Sequence, residues 1–117
     1  MNELIDRLTA NVGIEKDVAE KAVGIILDFL KKEGPADKVQ PLIDQIPNGN
    51  ELAEAHGGGM SLMGGLMGAG TKLMAAGLSM GQVQTVTKEV IAYGREKVGD
   101  DAIGEIVGAI PGLGQFT

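Results

Sequence analysis

The sequence predicts an all-α fold, a small helical bundle in which two pseudo-repeated helix pairs flank a Gly/Met-rich connector helix. Three observations predict it. Apolar residues recur at spacings of three and four along most of the chain, which is the period of one helix face. Residues 13–47 and 77–111 read as two copies of one unit at a constant offset of 64. Gly13, Ile14, Ala19, Ala22, Ile26, Phe29, Asp37, Val39, Leu42, Ile43, Ile46 and Pro47 return as Gly77, Leu78, Val83, Val86, Val90, Tyr93, Asp101, Ile103, Ile106, Val107, Ile110 and Pro111. No stretch alternates apolar and polar residues as a half-buried strand would. With 117 residues the chain fits one helical domain, 1–117, large enough for an aliphatic core without disulfide or metal support.

Leu4, Ile5 and Leu8 predict a first short helix behind Asn2, ended near Gly13, whose place after Asn11-Val12 suits a left-handed cap. Ala19, Ala22, Ile26 and Phe29 predict a second helix from Glu15 or Asp17 to Lys32, stopped by Gly34-Pro35. Asp17 with Lys21 and Asp28 with Lys32 are acid-before-base pairs at i, i+4, each contributing about 0.3 kcal/mol, so the buried face decides whether the helix forms. Val39, Leu42, Ile43 and Ile46 share a face of a third helix over 38–46. Pro41 has no amide hydrogen and predicts a late start for that helix. After Pro47-Asn48-Gly49, Asn50 is expected to cap a brief turn through Glu51 to His56, before the Gly57-Gly58-Gly59 triplet.

The second copy has clearer punctuation. Ser79 followed by Gln82 is a capping-box pattern ahead of a helix from Met80 to Val98, with Val83, Val86, Val90 and Tyr93 on its core face. Gly99 ends it. Asp100 or Asp101 then starts and caps a last helix carrying Ile103, Ile106, Val107 and Ile110.

The connector, 57–76, is the compositional anomaly. From Gly57 to Thr87 there is one charge ahead of Lys88, Lys72, and five of the six methionines: Met60, Met63, Met67, Met74 and Met80. Gly64, Gly65, Gly68 and Gly70 within a helix cost about 1 kcal/mol each relative to alanine, so the helix needs burial or lipid to persist. Ser61, Gly65 and Ala69 recur every four residues, a spacing that lets another backbone approach closely. The simplest expectation is a core helix between the repeats. A class-different alternative is a peripheral membrane protein that inserts 57–78; Lys72 and the absence of flanking basic clusters or tryptophan argue against a full span.

Charge and composition remove several function classes. Sixteen acidic against ten basic residues give a net charge of −6, and no basic run exceeds Lys31-Lys32, so nucleic acid is not an expected partner. Without Cys there is no disulfide framework, zinc-thiolate site or cysteine nucleophile. Met1-Asn2-Glu3-Leu4-Ile5-Asp6-Arg7 is acidic early and does not read as a secretory signal, which predicts a cytoplasmic location.

Five patterns imitate catalytic or ligand sites. His56-Gly57-Gly58-Gly59 matches an oxyanion loop and Gly77-Leu78-Ser79-Met80-Gly81 matches a nucleophile elbow, yet the sole histidine lies in the first string and no strand precedes Ser79. Gly65 and Gly70 have the gap of a phosphate loop, but Thr71-Lys72 reverses the working order. Glu51, Glu54 and His56 are too few and too poorly spaced to hold a metal. Asp100-Asp101 is better explained by helix initiation than by paired-carboxylate chemistry. No catalytic, cofactor or metal residues are therefore assigned, and no enzyme activity is expected.

The strings Gly77-Leu78-Ser79 and Ile103 through Ala109-Ile110-Pro111-Gly112-Leu113 resemble the small bacterial VcgC/VcgE-type family of unknown function. The first copy, Gly13-Ile14 through Ile46-Pro47, is similar to related small bacterial helical domains. The resemblance implies an all-helical fold and carries over no catalytic residue. The functional expectation is a noncatalytic helical interaction or self-association module, its partner another copy or another protein, with a membrane surface as the alternative. Met60, Met63, Leu66, Met67, Leu113 and Phe116 are the candidate interaction surface, because flexible methionines repack against differing apolar partners.

Overall fold

In the computed structural model, which describes residues 3–46, 48–57, 65–110 and 113–116, seven α-helices account for most of the chain and no strand occurs among the described residues. They are α1 (Glu3–Asn11), α2 (Lys16–Glu33), α3 (Ala36–Gln45), α4 (Gly49–Leu52), α5 (Gly65–Ala75), α6 (Met80–Val98) and α7 (Asp100–Ala109). A π-helical turn (Ala53–Gly57) continues α4, and a 3-10 turn (Leu113–Phe116) follows α7.

The helix α2 is the hub. Helices α1, α3, α4, α5 and α6 and the π-helical turn all pack on it. Its buried set therefore exceeds the single stripe of Ala19, Ala22, Ile26 and Phe29 and includes Val23, Ile25, Leu27 and Leu30. A helix touched from many sides buries residues that periodicity alone assigns to its flanks. Helix α1 adds Leu4, Ile5 and Leu8 to the core, and α7 adds Ile103 and Ile106. The radius of gyration, 12.5 Å, is that of a well-packed chain of this size.

Boundaries recur at the offset seen in the sequence. Helices α2 and α6 begin at Lys16 and Met80, and α3 and α7 run from Ala36 to Gln45 and from Asp100 to Ala109, each position 64 residues from its counterpart. The preceding turns match, with Gly13 at φ +81° and Gly77 at φ +113°, a region that glycine enters without a Cβ clash. The closing turns match as well: the Ile46 N–H donates to the Ile43 carbonyl and the Ile110 N–H to the Val107 carbonyl. The correspondence extends beyond residue 13, since α1 and α5 end at Asn11 and Ala75, also 64 apart. Both of these helices pack on α2 and on α6.

Three local expectations are corrected. Helix α3 starts at Ala36, not at 38, and Pro41 lies in its interior. The Pro35 carbonyl accepts from both the Lys38 and Val39 amides at 2.9 Å, so the first turn closes ahead of Pro41. Full burial of Val39, Leu42 and Ile43 offsets the hydrogen bond that Pro41 cannot make. Asn50 is not a cap but a residue of α4. Asn48, at φ +60°, precedes that helix and its carbonyl accepts from the Leu52 amide at 2.9 Å. Gly99, at φ +92°, occupies the position before α7, so Asp100 and Asp101 sit in the first turn and favour it through their charge, without a side-chain cap bond.

Candidate functional site

Helix α5 lies within the connector, and it helps to form an apolar pocket. Ala69 and Leu73 are buried against α2 and α6, at 8% and 2% exposure. Because Ala69 and Gly70 carry almost no side chain, α5 does not fill the groove between its two neighbours. The result is a cavity of about 60 Å³ lined by Ile26, Phe29 and Leu30 of α2, Ala69, Gly70 and Leu73 of α5, Val83, Thr87 and Ile91 of α6, and Leu113. Thr87 is the one hydroxyl among the described lining residues, and it donates its proton to the Val83 carbonyl at 2.8 Å. The cavity thus offers shape and apolar surface but no donor.

Outside the cavity, α5 and α6 present the exposed large hydrophobic residues among those described, Met74 at 48% and Met80 at 66% exposure. They flank the turn over 76–79. Neither was singled out for a surface by the sequence, although both belong to its methionine-rich stretch. Of the six residues proposed there, Met60 and Met63 lie outside the described residues, as do the side chains of Leu66, Met67 and Phe116. Leu113 is 1% exposed and closes one wall of the cavity, so it is a core residue rather than a surface contact. The 3-10 turn that carries it packs on α6 and α7 and drives the side chain inward.

The hydrolase-like string is accounted for by helix initiation. Ser79 Oγ accepts from the Gln82 amide at 3.2 Å, and Gln82 Oε1 accepts from the Ser79 amide at 2.9 Å, the reciprocal capping box expected from the sequence. Thr71 and Lys72 stand in the middle of α5, with no strand ahead of them among the described residues. A wider and more open polar notch, of about 300 Å³, lies where α3 meets α4; beside it Gln40 donates to Asp44 at 2.9 Å and to Asn50 at 3.3 Å. Among the described residues no group of three histidine or acidic side chains converges to hold a metal.

Charged groups organise the contact between α1 and α6. Arg7 reaches Glu96 at 2.6 Å and Glu89 at 3.5 Å, and Lys97 approaches Glu3 at 3.7 Å. Both cations also lie over the Tyr93 ring, Arg7 at 5.6 Å and Lys97 at 5.3 Å from its centroid. The hydrogen bond to Glu96 holds the Arg7 pKa above its ordinary value. Burial pushes the Tyr93 hydroxyl above its ordinary value too, with Lys97 opposing. Lys38, hydrogen-bonded to Glu105 at 3.1 Å, is likewise raised. These are clamps between helices, and their charges satisfy one another.

No helix among the described residues is long and apolar enough to cross a membrane. No known protein family, curated protein or solved structure matches the chain.

Proposed function

We propose that this protein is a noncatalytic helical interaction module that self-associates through the corner where α5 meets α6. The observation that carries this reading is the exposure of Met74 and Met80 on either side of the same turn. Two unbranched, polarizable side chains projecting from one corner form an adaptable apolar contact, and covering them with a second copy removes them from water. The offset-64 architecture supports the reading as well, because an internally duplicated scaffold devotes its recurring positions to packing rather than to chemistry. Membership of the VcgC/VcgE-type family and a cytoplasmic setting belong to the same proposal and rest on the residues that suggested them.

Sedimentation velocity from low to high micromolar concentration tests it. The wild-type chain should shift toward a dimer, and the double variant Met74→Glu/Met80→Glu should sediment as a monomer with unchanged helicity. A wild-type protein that stays monomeric throughout, or a double variant that still dimerises, overturns the proposal.

A further inference from the structure

We propose that the cavity between α2, α5 and α6 is a binding site for the terminal carbons of a linear aliphatic chain, of the kind carried by medium-chain alcohols and fatty acids. The lining fits that class and little else. Among the described lining residues Thr87 is the sole one with a polar side chain and its proton is committed to the Val83 carbonyl, so a trapped water would find far fewer than the two to four partners it needs. The cavity is dry by composition. Its volume, about 60 Å³, is well below the ~150 Å³ of an apolar cavity that accepts benzene, so it admits a few carbons in single file rather than a ring.

The offset of 64 explains why the space exists. Helix α1 packs on α2 and α6 just as α5 does, and at the positions of Ala69 and Gly70 it carries Ile5 and Asp6. Ile5 is 2% exposed, so on that side a branched side chain fills the interface. On the other side Ala69 leaves the volume open. Gly70 keeps the rim clear, since a Cβ there would meet nothing within 4 Å. The chain therefore holds a filled and an unfilled version of one helix packing, and the filled one supplies the blocking substitution.

The experiment titrates the 117-residue chain with n-butanol, n-pentanol and n-hexanol while following the methyl resonances of Ile26, Leu73 and Ile91. Saturable shifts are expected at all three residues, each buried methylene contributing about fourfold in affinity, with the gain levelling off along the series once the few carbons that the cavity admits are buried. Ala69→Ile should abolish the shifts while keeping the helical circular dichroism. Should that variant fail to fold, Gly70→Leu at the rim gives the same readout. Absence of saturable shifts in the wild type, or equal binding by a folded Ala69→Ile or Gly70→Leu protein, overturns the assignment. Met74→Glu/Met80→Glu should bind the alcohols as the wild type does, which separates this site from the self-association surface.

Discussion

The Arg7 guanidinium of α1 lies 5.6 Å from the centre of the Tyr93 ring of α6, joining two helices whose sequence positions are 86 apart. The same side chain pairs with Glu89 and Glu96, so one residue makes an ion-pair fork and a ring contact. Arg7→Ala is expected to lower stability by about 1 kcal/mol, the combined size of a partly exposed ion pair and a cation–π contact. Urea unfolding in low and high salt checks this: the ion-pair share of the loss should shrink with salt, while the ring contact and stem packing should persist.

Ser79 and Gln82 close the α6 capping box from both directions. Ser79→Ala should cost about 1 kcal/mol, and Gln82→Ala less. In a double-mutant cycle the two losses should be less than additive, because each substitution already disrupts the shared box. Strict additivity in denaturant unfolding would mean that the two bonds act independently.

Glycines in this chain are of opposite kinds, and alanine substitution sorts them. A Cβ at Gly49 would come within 2.6 Å of the Ile43 carbonyl oxygen, a backbone atom that cannot rotate away, so Gly49→Ala should destabilise by about 2 kcal/mol or more. At Gly104 and Gly108, on the exposed side of α7, a Cβ would meet nothing within 4 Å. Gly104→Ala and Gly108→Ala should each stabilise by up to about 1 kcal/mol through reduced freedom of the unfolded chain. Thermal melts should therefore move down for the first variant and up for the other two.

Alkaline pH should weaken the fold through Tyr93. Its pKa is raised above 10.0 by burial, so the folded state holds the phenolic proton more tightly than the unfolded state does. This contribution is complete below pH 10 and is lost as pH rises through 10 and past the folded value. Tyr93→Phe removes the titrating group. Stability measured from pH 8 to 11 should fall less steeply for the variant, the remaining slope coming from lysines such as Lys38.

Much of this fold is legible in the sequence because its strongest signals are local. The limits of α6, the Ser79–Gln82 box and the Gly13 and Gly77 turns follow from periodicity and punctuation, and each forms as those signals require. Pro41 misleads because its local rule is outweighed by the burial of Val39, Leu42 and Ile43, which only the assembled bundle supplies. The matching placement of α1 and α5 escapes notice for a related reason. Leu8 corresponds to Lys72 and Ile5 to Ala69, so the two helices keep their place while exchanging their side chains. The cavity is invisible for the same reason, since an alanine in a chain rich in small residues gives no sign of what it fails to fill. Leu113 is apolar in either setting, and only the inward 3-10 turn decides that it closes a wall.

The placement of α1 and α5 against both long helices has a consequence for how such a chain can change. Each early helix of a half needs the long helix of the other half to cover it, so neither half is a self-sufficient building block. Cutting the chain between α4 and α5 therefore uncovers α1 and α5 alike.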